Sequence, residues 1–419
     1  MSSQRALETS RSLVMMGWFF CALFFFYAFV LRVAPAVMVE ELMREFTVGA
    51  AILGYLSATY LYIYAALQIP LGLVVDKYGL RGVVAGACAV CGIGSVVFSL
   101  AENVYVAYLG RGLVGAGAAF SFVGALNMAA RWFPSRFAVL GGWAQMMGSV
   151  GGFVGQAPLS MAVAAFGWRS CNLSLGAGGI FLAVLLLFTV RDPKKNRNSN
   201  DNLSIWLGLK YVCTNSQTWL ATIAAAGLTG TLLAFGGLWG VPYLMAAREI
   251  DKPSAASFIS IIFIGWAVGA PFFGWLSDRI GKRRVLLLCG TAGAALTIST
   301  IIVFPKLSTI LIIPVLTLKG FFSASMILGF ALAKENNPAE SSGVALGLIN
   351  TFVVGSGAIL QPVVGVLLDY TWSGQTSGGV RIFDVEAFQV SMAILPLICL
   401  LSFVSAFYIR EPHSIQNTS

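Results

Sequence analysis

Residues Gly72–Gly82 read GLVVDKYGLRG, and residues Gly274–Arg284 read GWLSDRIGKRR. Each stretch is short, charged and rich in glycine, and each follows a long apolar run. A charged turn in that setting is a loop that hands the chain from one membrane span to the next. Its recurrence divides the chain into two halves that echo each other. The prolines agree, since Pro134 and Pro158 find counterparts at Pro338 and Pro362. Duplicated helical halves are the sequence signature of secondary carriers, with a site expected near mid-membrane between them.

Composition supports the same frame. The chain has 419 residues, 58% hydrophobic and 10% charged, with a mean hydropathy of +0.84. A soluble protein of that length needs far more polar surface. The apolar runs reach the length that crosses a bilayer, and they place twelve helices at roughly 13–38, 48–74, 83–100, 104–130, 136–161, 171–190, 217–245, 254–276, 285–304, 307–333, 342–369 and 387–408. The expected fold is an all-α membrane protein with two pseudo-symmetric six-helix bundles. Residues 1–190 form the first bundle, 191–216 a cytoplasmic linker and 217–419 the second bundle. The linker begins as the polar run RDPKKNRNSNDN and ends in LSIWLGLKYV, which reads as a short amphipathic interfacial helix. No cleavable signal peptide is evident, because the first apolar run lacks a small-residue cleavage site. With the N-terminus inside, about seventeen Lys and Arg fall in cytoplasmic segments and about six in outer ones, so both termini are expected in the cytoplasm.

Several function classes are excluded. The pI of about 9.3 comes from basic loops between spans, so nucleic acid is not an expected partner. The seven cysteines lie mostly inside spans. Cys88 and Cys91 form a CxxC in an apolar helix with no second thiol or imidazole cluster, which makes packing the expected role and a metal site unexpected. The single histidine, His413, sits in the tail. No combination of nucleophile, base and metal suggests an enzyme, and no Walker loop suggests a pump. GAGAAF at Gly115–Phe120 is glycine for close helix contact. No cofactor is expected, and the protein is read as a monomer in the lipid bilayer.

The two charged loops resemble motif A of the major facilitator superfamily. One copy comprises Gly72, Asp76, Lys77, Gly79 and Arg81; the other comprises Gly274, Asp278, Arg279, Gly281, Lys282 and Arg283. GRGLVGAGAAFSFVGALNMAARWFP, with Arg111, looks like that family's motif B. The resemblance spans essentially the whole chain. It implies that the loops build a cytoplasmic gate, in which Asp76 bonds a facing helix terminus and a basic partner, Arg131 or Arg136. Where drug antiporters of the family carry Gly-Pro in span five, this chain has Ala157-Pro158, which weakens a multidrug reading. The wording RVAPAVM and LQIPLGLVVDKYG looks more like bacterial phagosomal nutrient transporters and the lysosomal dipeptide carrier.

Three cations fall within spans: Arg32, Arg111 and Lys319. No carboxylate lies deep in any span; Glu102 and Asp369 sit near span ends. An unpaired buried charge is costly. A water-filled cavity and an anionic ligand would offset that cost, and arginine can hold a carboxylate in a bidentate fork. Two alternative readings stand beside this one: Arg111 as a structural tie between helices, and Arg32 snorkelling to the outer interface. Tyr60, Tyr64 and Gln68 recur every four residues and share a face. Tyr27, Trp239, Tyr243 and Gln361 complete the candidate substrate-binding set.

The resulting expectation is a bacterial inner-membrane carrier of a small organic anion or zwitterion, such as an amino acid, a short peptide or another carboxylate, working by alternating access. Protons remain one candidate coupling ion, though no deep carboxylate is present to carry them. The alternatives are an exporter of drugs or carboxylate siderophores and a non-transporting membrane receptor.

Overall fold

A computed structural model describes residues 2–191, 205–338 and 341–411. Twelve helices in it are long and apolar enough to cross a membrane, and they follow the hydropathy pattern closely. They are spans one (Ser12–Val37), two (Ala50–Gln68), three (Leu80–Ser99), four (Val104–Trp132), five (Val139–Phe166), six (Trp168–Thr189), seven (Ser216–Arg248), eight (Lys252–Ile280), nine (Arg283–Val303), ten (Thr309–Glu335), eleven (Ser342–Tyr370) and twelve (Val385–Phe407). The helix of span two continues to Tyr78. The bundle end that carries the N-terminus and the central linker is called here the terminal end, and the other the distal end.

Spans one to six pack as one bundle and seven to twelve as the other. They meet along two seams, span two on span eleven and span five on span eight. Small residues permit the close crossings. Spans eight and ten cross at Gly265 and Gly320, where an added Cβ would run into the carbonyls of Thr317 and Ile262. Spans three and four cross at Gly117, whose Cβ would meet the Cys91 backbone nitrogen at 2.7 Å. Without a hydrophobic force between helices in lipid, such close backbone approach is what holds a bundle together.

Both charged loops turn at a glycine with positive φ. Gly79 (φ 85°) and Gly281 (φ 68°) end spans two and eight in the left-handed region, where a Cβ is penalised. Gly79 N–H donates to Val75 O at 3.0 Å and Gly281 N–H to Ser277 O at 2.9 Å. The interfacial helix expected in the linker is present as Ile205–Thr214, and Val212 packs on Ala345 and Leu348 of span eleven.

Several spans are broken where the sequence reading drew continuous helices. Span five is interrupted at Gly155 and Gln156, span seven contains a π turn at Phe235–Trp239, and span ten breaks at Ala324 and Ser325. At the distal end a short helix, Val39–Phe46, follows span one, and a two-stranded hairpin (Thr376–Ser377 with Val380–Arg381) follows span eleven.

Candidate functional site between the bundles

Span one carries Arg32 toward the distal end. Just beyond it, Pro35 starts a 3-10 turn, Ala34–Val37, because proline cannot donate the next helical bond. That turn packs on the π turn Phe235–Trp239 of span seven, and every residue of both turns is buried. Arg32 therefore lies on the terminal side of a sealed seam. Its side chain is 7% exposed. Nε donates to Tyr60 Oη at 3.4 Å, and Tyr60 Oη donates to Ala28 O at 3.2 Å. The guanidinium stands 4.3 Å from the Phe29 ring centroid, 4.8 Å from Tyr64 and 5.4 Å from Tyr60. Tyr60 and Tyr64 stack at 6.0 Å. No carboxylate pairs with Arg32 among the described residues. Aromatic faces attract the cation by about 1–2 kcal/mol, less than a buried charge needs.

Two further groups lie near this centre. Gln68, one turn beyond Tyr64 on the same face, has a buried Nε2 without a partner among the described residues. Trp266 of span eight, in the other bundle, packs against Phe29 at 5.7 Å, and its buried Nε1 also has no partner. The sequence reading had passed over Phe29 and Trp266. The only signal for Trp266 is an indole in the middle of an apolar run, and packing explains most residues of that kind.

Hydrogen bonds of spans five, seven and eleven line the seam on the distal side. Gln156 Nε2 donates across the bundles to Gly236 O at 2.7 Å. Gln361 Nε2 donates to Leu233 O at 3.1 Å, and Trp239 Nε1 donates to Gln361 O at 2.9 Å. Both glutamine Oε1 atoms are buried without a partner. Trp239 also lines a distal cavity of about 420 Å³ that is bordered by Glu40, Arg44, Glu249 and Arg381. The indole thus separates that cavity from the Arg32 side.

Three residues from the sequence-derived set, Lys319, Tyr27 and Tyr243, depart from this centre, whereas Arg111 adjoins it with its guanidinium 5.2 Å from the Tyr60 ring centroid. Arg111 Nη1 and Nη2 donate to Leu31 O (2.8 Å) and Ser57 O (3.2 Å), tying spans one, two and four. Lys319 is fully buried inside the second bundle, where Nζ donates to Thr231 Oγ1 at 3.0 Å beside Cys399. Tyr27 turns to the opposite side of span one from Arg32, against Gly179 of span six. Tyr243 Oη donates to Ile301 O of span nine at 2.7 Å. The reason is rotational phase. Five residues separate Tyr27 from Arg32, about 140° around a helix at 3.6 residues per turn. Trp239 ends the π turn and bonds span eleven, whereas Tyr243, one turn on in the regular helix Gly240–Arg248, reaches span nine.

The gate loops sit at the terminal end. Arg81 Nε donates to Leu187 O of span six at 2.6 Å. In the second copy Arg283 pairs with Glu335 at 2.7 Å and reaches the exposed Asp278 at 3.5 Å, while Arg279 stacks over Trp275. Arg131 and Arg136 are exposed at the same end. The side chains of Asp76 and Lys77, and so the pairing expected of Asp76, lie outside what the structure describes.

The duplicated bundles, the repeated glycine turns and the seam between halves agree with a known family of carriers. The Major Facilitator Superfamily profile matches residues 19–245 and 230–419. The chain belongs to the Major Facilitator Superfamily. Among relatives of this superfamily member, the probable galactarate/D-glucarate transporter GudP of Bacillus subtilis is 24% identical over 88% of this chain and 88% of its own. The membrane sensor protein UhpC of Salmonella typhimurium is 25% identical over 96% of this chain and 93% of its own. Among solved structures, a bacterial homolog of the human lysosomal transporter Spinster, inward-facing and occupied, superposes with a TM-score of 0.79 at 17% identity, covering 95% of this chain and 97% of that one. At that identity the likeness concerns the fold. The family consists of membrane transporters that bind small molecules within the bilayer, and the chain is a multi-pass membrane protein and not an enzyme.

Proposed function

We propose that this protein carries a small organic anion through the membrane, with Arg32 as the anchor for the anionic group. The observation that carries the reading is a buried guanidinium at the seam of the two bundles with no carboxylate beside it among the described residues. Phe29, Tyr60 and Tyr64 wall the site on one side, and Trp266 reaches it from the other bundle. A ligand touching both sides favours the conformations in which the bundles close on it, the coupling that alternating access needs. The sealed distal seam is that of an inward-facing carrier if the terminal end is cytoplasmic, as the basic loops favour. The rocking bodies are then residues 1–190 and 217–419, joined by 191–216, in the inner membrane of a bacterium. GudP, a probable carrier of sugar diacids, supports an anionic substrate. Amino acids and short peptides stay within the class, since each has a carboxylate.

The test is uptake into liposomes of labelled D-glucarate, pyruvate, alanine and dialanine, with and without a proton gradient, by the full chain and by Arg32→Gln. Saturable uptake of an anion that falls at least about tenfold in Arg32→Gln, the scale of one charge-assisted contact, is expected. Undiminished uptake by a folded Arg32→Gln would remove the anchor from the mechanism. The match to UhpC over nearly the whole chain favours a second reading, a membrane sensor built on the same site. A sensor would bind an anion through Arg32 and show no flux in the same liposomes.

A further inference from the structure

Span two starts with Gly49 as its N-cap, and glycine has no side chain with which to cap a helix. The first N–H groups of any helix need an acceptor, and its N-terminus favours a negative charge. Here the acceptor comes from the other bundle. Asp369, in the last turn of span eleven, accepts from Ala50 N at 3.0 Å through Oδ1 and from Ala51 N at 2.8 Å through Oδ2. The carboxylate is held from behind. Arg381 Nη1 donates to Asp369 Oδ1 at 2.9 Å, and the Arg381 guanidinium rests 4.4 Å from the Trp372 ring. The hairpin that presents Arg381 closes through Ile382 N to Gln375 O at 3.0 Å and Trp372 Nε1 to Gln375 O at 2.8 Å. The absence of a side chain at position 49 is part of the fit, because a Cβ there would lie 2.7 Å from Asp369 Oδ2. Gly49 itself is extended (φ −82°, ψ 178°), a conformation open to any residue. What excludes a side chain is therefore the partner bundle and not the local backbone.

We infer that Asp369, oriented by Arg381, is the latch of the distal gate: it lends span two the N-cap its own sequence lacks, so the cap is complete only while the bundles are closed at that end. Opening the distal end pulls the carboxylate off the helix and leaves two N–H groups and one carboxylate to water. The span-eleven terminus, with the hairpin residue Arg381 behind it, thus acts on the other half of the molecule. The cross-bundle pair Glu41–Lys252 lies at the same end and reinforces the closure. The latch needs no knowledge of the substrate and stands apart from the role of Arg32.

The inference separates two roles for Asp369, tying the bundles and stabilising a helix. Spin labels at Tyr105 and Ile310, both strongly exposed at the distal ends of spans four and ten, report the opening in a variant with native cysteines replaced, reconstituted in lipid. Asp369→Ala should raise the ratio of open to closed distances about tenfold, the scale of one lost helix cap. Gly49→Ser combined with Asp369→Ala restores a cap within span two but no tie between bundles, so it should recover thermal stability while remaining open. Unchanged distances in Asp369→Ala overturn the latch. A return to the closed distances in the double variant also overturns it, since capping alone would then explain the effect.

Discussion

Replacing Lys319 by methionine tests whether a buried lysine in a carrier must serve the substrate. Its ammonium is fully buried, with one hydroxyl partner at 3.0 Å and a thiol at 3.9 Å. Removing it forfeits one charged hydrogen bond, about 1.5–3 kcal/mol. It also relieves a cation held in the membrane interior, about 2.5–3.5 kcal/mol on insertion scales. Thr231 keeps its own bond to Leu228 O at 3.2 Å, so no new orphan is created. Methionine has a similar shape, and such swaps usually cost less than about 1.5 kcal/mol. The terms nearly cancel, so Lys319→Met should unfold within about 2 kcal/mol of the wild type in detergent. Lys319→Ala, by contrast, leaves a cavity and should lose about 2–5 kcal/mol. Liposome uptake by Lys319→Met should match the wild type, because the ammonium faces spans seven and twelve inside one bundle. A well-folded Lys319→Met that cannot transport would refute this reasoning and return Lys319 to the transport pathway.

Three other expectations follow from packing and hydrogen bonding. Gly320→Ala drives a methyl into the Ile262 carbonyl at the crossing of spans eight and ten, and it should destabilise by about 1–3 kcal/mol or more, read as a lower melting temperature; an unchanged melting point would mean that the crossing is looser than described. Tyr243→Phe removes a bond to Ile301 O and should cost about 0.5–1.5 kcal/mol with transport intact. Tyr60→Phe removes the phenol that links Arg32 to Ala28 O and should raise the half-saturation concentration for the anion, and equal transport defects in the two variants would erase the distinction between core and site.

The number of spans, their division into two halves and the glycine turns that end spans two and eight were all legible in the amino-acid order. Each depends on local properties: a run long enough to cross lipid, a glycine where φ must be positive, a charge that must stay near water. That the spans carry cations without deep carboxylates was legible too. Where those cations point was decided only by tertiary structure. Facing direction changes by about 100° per residue, so a break of one residue redirects a side chain. Pro35 turns the last residues of span one from α to 3-10 just past Arg32, and a π turn in span seven ends at Trp239. Arg111 and Lys319 read as equals of Arg32 in the sequence, yet neighbouring helices supply partners that absorb them into the bundle interiors. Trp266 became a site residue only when span eight was laid against span one. Asp369 looked like a peripheral charge because the helix it caps begins hundreds of residues earlier, and only the docking of the two bundles brings that helix terminus to its carboxylate.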